Sequence, residues 1–408
     1  MKIAFVSPFP PSKVTLNEYG YHLIRSFINK PGVDEIVVLT NHIEKDQDYG
    51  RYATPGIELI PCWNFDSLMT PWNLAKELKK QKPDVIIYNL QFMTFGEGKV
   101  PAAMGLLTPW ISKILRIPSI VLLHNIIETV NLESIGMTEN KLMQQIYMTI
   151  GRQLTKLILK ADIVGLTIAQ YVDIINEAYK TNKAVLLPHG NFELPERSYL
   201  PENLTEINLM AFGKFGTYKK VEVMLESLEI LIKRYPELKF SATVAGTDNP
   251  NVKGYLDAVK TKYQQLPNVH FTGYVAEEDV ELLFKKSTFV IFPYSTTTGS
   301  SGIIHQAGSY ARACVLPMID DLKRVVEEEG YDGAFFEVEN AQSMADAVGS
   351  LLENPMRRKA IEDKNFAAAK GLPMSQLADM YLNHINHLLN RTIHRNDGAA
   401  VSLAVNQS

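Results

Sequence analysis

Short runs of β-branched and aliphatic residues recur along the first half of this chain, at Lys2–Val6, Glu35–Leu39, Ile57–Ile60, Asp84–Tyr88, Ser119–Leu123, Ile163–Leu166 and Ala184–Leu187. None alternates polar with apolar positions. A strand wetted on one face alternates, whereas one covered on both faces reads as a continuous apolar run, as in a parallel sheet with helices above and below. Helical stretches such as Tyr19–Ile28 and Met143–Ile158 lie between the runs. The rhythm stops over 191–205, where Pro195, Pro201 and several charges predict a linker. It then restarts, with strands at Ile207–Phe212, Lys239–Ala245, Val269–Thr272, Thr288–Phe292 and Cys314–Met318. Helices follow at Val221–Lys233, Val252–Gln265, Glu278–Lys285, Gly302–Ala311 and Met344–Leu352. In the first of these, Val221, Met224, Leu225, Leu228, Leu231 and Ile232 form one apolar face. The predicted class is α/β: two doubly wound domains, 1–190 and 206–372, facing each other across a cleft. Ligands of such sheets bind beyond the carboxyl ends of the strands, so the cleft is the expected site. A last helix over 373–390, packing back towards the first domain, precedes a polar, aperiodic tail, 391–408, that is expected to be disordered.

Composition narrows the partners. The chain has 408 residues, a net charge of −4 and 46% hydrophobic residues. Nothing in that balance calls for nucleic acid or a strongly anionic surface. Cys62 and Cys314 are far apart beside apolar runs, which fits two buried thiols in a reducing compartment. No cysteine–histidine cluster has zinc spacing. The opening apolar run is too short for a signal sequence, and no stretch reaches the roughly 18 apolar residues of a membrane span. The expected location is cytoplasmic. The stretch Lys141–Lys160 mixes Leu, Ile, Met and Tyr with four basic residues, a composition compatible with peripheral contact at the inner face of a membrane. An ordinary surface helix accounts for it more simply.

Two loops carry the candidate chemistry. From Ile291 to Pro317 an apolar strand leads through Thr298-Gly299-Ser300-Ser301-Gly302 into a helix. Small residues bring a ligand close to the backbone, and the N–H groups and dipole of a helix N-terminus favour an anion. A nucleoside diphosphate is therefore the leading ligand, with a plain turn as the simpler alternative. The second loop, Phe212-Gly213-Lys214-Phe215-Gly216-Thr217-Tyr218-Lys219-Lys220, also joins a strand to a helix and offers positive charge. It is neither a Walker loop nor a dinucleotide fingerprint. Both loops follow strands of one domain and so point to the same side.

At these residues the chain resembles the retaining family 4 glycosyltransferases of the GT-B fold, of bacterial polysaccharide-assembly type, over about residues 1–390. Gly213 to Lys219 is similar to that family's Gly-Arg-(hydrophobic)-x-x-x-Lys segment, with Lys214 in place of arginine. The resemblance implies that Gly213, Lys214 and Lys219 hold the leaving diphosphate. Val244-Ala245-Gly246 and Phe271-Thr272-Gly273-Tyr274-Val275 look like the next landmarks, with Tyr274 and Val275 against the nucleobase. Pro188-His189-Gly190-Asn191 resembles the turn that closes the N-terminal domain, and His124 matches a histidine beside the transferred sugar. The family's two glutamates, seven residues apart, fall on Thr298 and Gln306. Threonine reaches less far to sugar hydroxyls, while glutamine still hydrogen-bonds a ribose, without charge. Pro10 to Thr15 stands where relatives carry two glycines.

The resemblance implies transfer of a hexosyl group, with retention, from a nucleotide-diphosphate sugar, UDP- or GDP-linked, to a glycan or lipid-linked acceptor. The diphosphate's charge would be met by Lys214, Lys219 and the backbone near Ser301 and Gly302, with no metal and no bound cofactor. Three alternatives stay open: a sugar-nucleotide epimerase, a phosphorylase, and a non-catalytic sugar-nucleotide-binding subunit.

Overall fold

A computed structural model describes residues 1–405 apart from Asn131, Ser134, Ile135, Glu193, Ser198 and 297–300, leaving aside the side chains of Asp321 and 391–405. The chain divides into two compact units. One comprises 1–128, 147–188 and the segment from Met374 onward; the other comprises 129–146 and 189–373.

The first unit is built on a seven-stranded sheet of order β3-β2-β1-β4-β5-β6-β7. Its strands are β1 (Lys2–Val6), β2 (Glu35–Asn41), β3 (Ile57–Trp63), β4 (Val85–Leu90), β5 (Ser119–Leu123), β6 (Ile163–Leu166) and β7 (Ala184–Leu186). All neighbours pair parallel. β4 and β5 are buried along their whole length, which is why neither alternates. Between strands run α1 (Asn17–Arg25), α2 (Thr70–Gln81), α3 (Lys99–Gly105), α4 (Thr108–Leu115), α5 (Lys141–Ile158), which belongs to this unit from Tyr147 onward, and α6 (Ala169–Tyr179). Proline in the first turn starts α2 and α4, and the residues after them, Lys82 and Arg116, stop them in the left-handed region.

The second unit has a six-stranded sheet of order β10-β9-β8-β11-β12-β13. Its strands are β8 (Glu206–Phe215), β9 (Lys239–Asp248), β10 (Val269–Gly273), β11 (Phe289–Ile291), β12 (Ala313–Pro317) and β13 (Gly333–Phe336). Its helices are α7 (Glu222–Arg234), α8 (Tyr255–Lys262), α9 (Glu277–Lys286), α10 (Gly302–Ser309), α11 (Asp320–Glu328), α12 (Ala341–Leu352) and α13 (Pro355–Gly371). Successive residues of β8 feed opposite layers: Ile207, Leu209 and Ala211 join Leu228 and Val348 of α7 and α12, while Met210 joins Phe284 and Ile304 of α9 and α10. Over 209–211 the strand is buried on both faces, and no polar residue interrupts that stretch.

Three expectations differ from the fold. Residues 129–146, read as part of the N-terminal domain, cluster with the second unit. The stretch 191–205, read as a linker, is tied down within that unit: the Asn191 N–H donates to the Leu372 carbonyl (2.9 Å), Arg197 pairs with Asp363, and Arg358 donates to the Pro201 carbonyl (2.6 Å). Proline and charge mark irregular backbone, and here irregular backbone is held by side-chain cations. The final helix, α14 (Met374–Val405), continues past Asn390 into the residues expected to be disordered. No proline interrupts that stretch, and alanine, leucine and arginine favour helix locally whether or not a face is packed. β13 escaped the sequence reading because four residues opening with glycine fall below any periodic window.

Arg312 fixes the position of α10. Its buried guanidinium donates to the carbonyls of Phe284 and Lys285 at the end of α9 (both 2.9 Å) and to those of Tyr310 (2.9 Å) and Ala311 (3.3 Å) just past α10. A cation at two helix C-termini satisfies orphan carbonyls and opposes both dipole ends. Arg312→Met is expected to cost about 3 kcal/mol, the order for carbonyls left buried without donors. Urea unfolding checks this; an unchanged midpoint would mean that water replaces the guanidinium without loss.

Candidate functional site

In the second unit the sheet order turns back on itself between β8 and β11, so the loops that follow these two strands flank the switch point where such sheets bind ligands. The first is the 213–219 loop and the second leads into α10.

Glycine makes the first loop possible. Gly213 and Gly216 have φ of 136° and 105°, values closed to most side chains. A Cβ on Gly213 would sit 2.9 Å from Lys219 Nζ and 3.6 Å from Ile303 Cδ1, so the ammonium and the first turn of α10 both lie against this one residue. The loop folds back, the Gly216 N–H donating to the Lys219 carbonyl at 2.9 Å. It is then pinned to the segment after β11. Lys219 pairs antiparallel with Tyr294, Lys220 donates to the Pro293 carbonyl (2.9 Å), and Ser295 donates to that of Tyr218 (2.8 Å).

Lys219 is half-buried, its Nζ 4.7 Å from the Tyr294 ring centre and 5.7 Å from that of Tyr218. Among the described residues no carboxylate pairs with it. Burial works to lower its pKa, but the phenols of Tyr294 and Tyr218 more than offset that, and the net shift is upward. The group is a fixed cation at neutral pH. The Tyr294 hydroxyl in turn lies 3.3 Å from Ser301 Oγ, and Ser301 is the N-cap of α10 without a side-chain capping bond. The cation and the helix mouth thus open on one place, and N–H groups of a first helical turn stand outside the helix's own ladder. The arrangement can hold a diphosphate: backbone donors on one side, an ammonium on the other.

The other predicted residues are distributed as follows. Lys214 is exposed at the end of β8, opposite Thr247. Tyr274 is 52% exposed after Gly273, whose φ is 67°, while Val275 packs on the core layer of Val280 and Phe284. Gln306 sits one turn into α10, partly buried. Thr298, Gly299 and Ser300 lie outside the described residues. His124 belongs to the other unit. It follows β5, with Nε2 2.8 Å from Asn89 Oδ1 and its ring edge-on to Tyr19 at 4.6 Å. Asn89 also donates to Ser7 Oγ (3.0 Å) and the Leu16 carbonyl (3.3 Å). This network ends β1, β4 and β5, beside the β1/β4 switch of the first sheet.

Sequence reasoning missed Tyr294, Asn89 and His189. Tyr294 adjoins the predicted loop and had a signal in its place directly after an apolar strand. Asn89, a polar residue inside the apolar run of β4, was the one visible exception there. His189, whose Nε2 would lie 3.1 Å from a Cβ on Gly302, is brought to α10 only by folding.

Residues 206–354 match a family model described as glycosyl transferases group 1. A curated relative from Haemophilus influenzae, described as an uncharacterized glycosyltransferase, is 24% identical over 195 residues, 46% of this chain. That match spans about half of the relative, 51% of its length. Solved structures superpose over nearly the whole chain. HepE of Anabaena, solved with UDP and glucose, gives a TM-score of 0.69 at 14% identity, covering 95% of this chain and 99% of its own. A sucrose-phosphate synthase from Thermosynechococcus elongatus gives 0.70 at 14%, covering 96% and 100%. An α,α-trehalose-phosphate synthase (UDP-forming) from Burkholderia xenovorans, solved with glucose-6-phosphate, gives 0.67 at 9%, covering 95% and 100%. The fold is GT-B, two Rossmann-like parallel-sheet domains.

Proposed function

We propose that this chain is a glycosyltransferase of the retaining, metal-independent kind, moving a hexosyl group from a UDP- or GDP-linked sugar to an acceptor hydroxyl in polysaccharide or glycoconjugate assembly. One observation carries the proposal: a half-buried ammonium, Lys219, lacks a carboxylate among the described residues and lies beside the mouth of α10. A cation so placed needs an anion. The matched family model and the UDP held by a structural neighbour fit a nucleotide diphosphate in that role.

The bond to be broken joins the anomeric carbon to the diphosphate. As it lengthens, positive charge spreads over the sugar ring and negative charge gathers on the departing oxygen. Lys219, Lys214 and the first-turn N–H groups of α10 stabilise the departing charge, most in the transition state. His124, oriented by Asn89, is assigned to the transferred sugar. Gln306 is assigned to the ribose; Gln306→Ala is expected to raise the donor KM about tenfold with little change in kcat, the loss of one hydrogen bond. An unchanged KM would remove Gln306 from the donor.

The acceptor is a glycan or a lipid-linked sugar, with the enzyme cytoplasmic and in peripheral contact with the membrane. Leu142, Ile146 and Ile150 recur every four residues on α5 and are exposed, and from Lys141 to Lys160 there are four cations and no carboxylate. No helix among the described residues is long and apolar enough to cross a membrane.

The test is nucleoside diphosphate release from a panel of UDP- and GDP-hexoses, with and without acceptors, repeated in chelator, with the product anomer read by NMR. Slow release from one donor, accelerated by an acceptor, with the configuration kept, is the expected result. Release abolished by chelator would overturn metal independence. Binding without turnover across all acceptors would favour the second reading, a non-catalytic nucleotide-sugar subunit, for which the uncharged Gln306 speaks.

A further inference from the structure

Behind α10, away from the Lys219 side, Asn191, Tyr331 and His305 form a chain of hydrogen bonds whose directions can be worked out, and Glu329 lies at its end. Asn191 Nδ2 donates to the Leu372 carbonyl (3.3 Å), which fixes its amide, so Asn191 Oδ1 faces Tyr331. That oxygen can only accept, and the Tyr331 hydroxyl therefore gives it its one proton, at 3.0 Å. The Tyr331 oxygen is then an acceptor towards His305 Nδ1, 3.1 Å away, and Nδ1 must carry the proton. His305 Nε2 lies 3.2 Å from Glu329 Oε2. Both atoms are sealed from solvent, and neither makes a hydrogen bond to any described residue, each other included. With Nδ1 already protonated, a neutral imidazole and an ionised carboxylate would oppose two lone pairs.

We propose that His305 and Glu329 hold one proton between them, and that this shared proton makes them positioning residues for the anion-binding turn of α10. His305 is on α10 itself. Its other face stacks on His189, ring centres 4.5 Å apart and planes at 16°, and His189 in turn flanks Gly302, the first residue of the helix. The His189 Nδ1 points to the Gly190 carbonyl at 3.0 Å, so it too is a donor. The stack thus joins the proton pair to the N–H groups that would face the ligand. The nucleotide part of the inference rests on the proposed function; the shared proton does not.

The titratable groups facing the pair are His189 on the stacked side, Tyr331, Glu328 from the end of α11, and Cys314 of β12 near Tyr331. Burial, with Glu328 adding, pushes Glu329 up to about 8. Burial, then His189, holds His305 well below its usual value. His189 is lowered to about 4 by burial, and burial pushes the Cys314 thiol and the Tyr331 phenol up. His189, Tyr331 and Cys314 therefore keep one charge state across the neutral range, while the pair changes there.

Unfolded, the two groups together carry two protons below about pH 4.5, one between about 4.5 and 6.5, and none above about 6.5. Folded, they carry one until about pH 8. The pair's contribution to stability is then level from about pH 4.5 to 6.5 and declines from about 6.5 to 8, because only the folded state still holds a proton.

The experiment is urea unfolding from pH 5 to 8.5 on the full chain, wild type against Glu329→Gln and Tyr331→Phe. The wild-type midpoint is expected to be level to about pH 6.5 and then to fall. In Glu329→Gln an amide N–H serves Nε2 at every pH, and the alkaline fall should disappear. In Tyr331→Phe the imidazole is freed to move its proton to Nε2 and donate to the ionised carboxylate, so the fall should again disappear, whichever variant folds better. A fall that persists in both variants, or is absent from the wild type, overturns the shared proton. In parallel, the Kd for UDP should weaken by up to about tenfold between pH 7.5 and 8.5 in wild type and stay level in the variants. A level wild-type Kd overturns the positioning role. If UDP fails to bind at every pH, the nucleotide reading falls, and the unfolding profile still decides the proton.

Discussion

Lys219→Ala is expected to lower sugar transfer at least about a hundredfold, the order lost when one preorganised donor to a developing anion is removed. That corresponds to about 2.7 kcal/mol of transition-state stabilisation. The effect should fall mainly on kcat, since the charge on the departing diphosphate grows as the bond breaks. Stability should change little by comparison. The phenols of Tyr294 and Tyr218 hold the ammonium in its charged form in the folded chain, so removing it leaves the melting temperature level or slightly lower. Lys219→Met, which keeps the stem between Tyr218 and Tyr294, should lose activity to the same degree. Activity within a few-fold of wild type in either variant would take Lys219 out of the site, and with it the observation on which the proposed chemistry stands.

The largest loss of stability is expected from Gly246→Ala. Gly246 pairs with Gly213 across β9 and β8, and its φ of 137° is a region essentially closed to other residues. A Cβ there would come within 1.8 Å of the Gly213 carbonyl oxygen, which is backbone and cannot swing aside. Strain at such a φ is worth about 1–3 kcal/mol, and separating two strands at their ends adds to it. We expect about 4 kcal/mol or more in urea unfolding, in the range of the most damaging single substitutions. The same displacement would move Gly213, and with it the contact between Lys219 and α10. Nucleotide binding should therefore weaken even in the fraction that remains folded. A midpoint within about 1 kcal/mol of wild type would mean that the two strand ends do not approach in this way.

What could be read from the chain alone was whatever leaves a local trace. Strands buried on both faces appear as unbroken apolar runs, and β1 to β12 lay where those runs fell, within a few residues. The loop at Gly213 to Lys219 was legible because a turn at those φ values needs glycine, and the opening of α10 because small residues precede its apolar face. Two parallel-sheet domains followed from the alternation of strand and helix. The tertiary structure decided the rest. The assignment of 129–146 to the second unit, the exposure of Lys214 beside the half-buried Lys219, and the meeting of Tyr294 with Ser301 depend on which segments pack together. So does the cluster of His189, Asn191, His305, Glu329 and Tyr331, drawn from three stretches far apart in the chain. Periodicity reports whether one residue faces oil or water. It carries no information on which distant side chain stands opposite, and a proton shared by two groups exists only once folding has shut the water out.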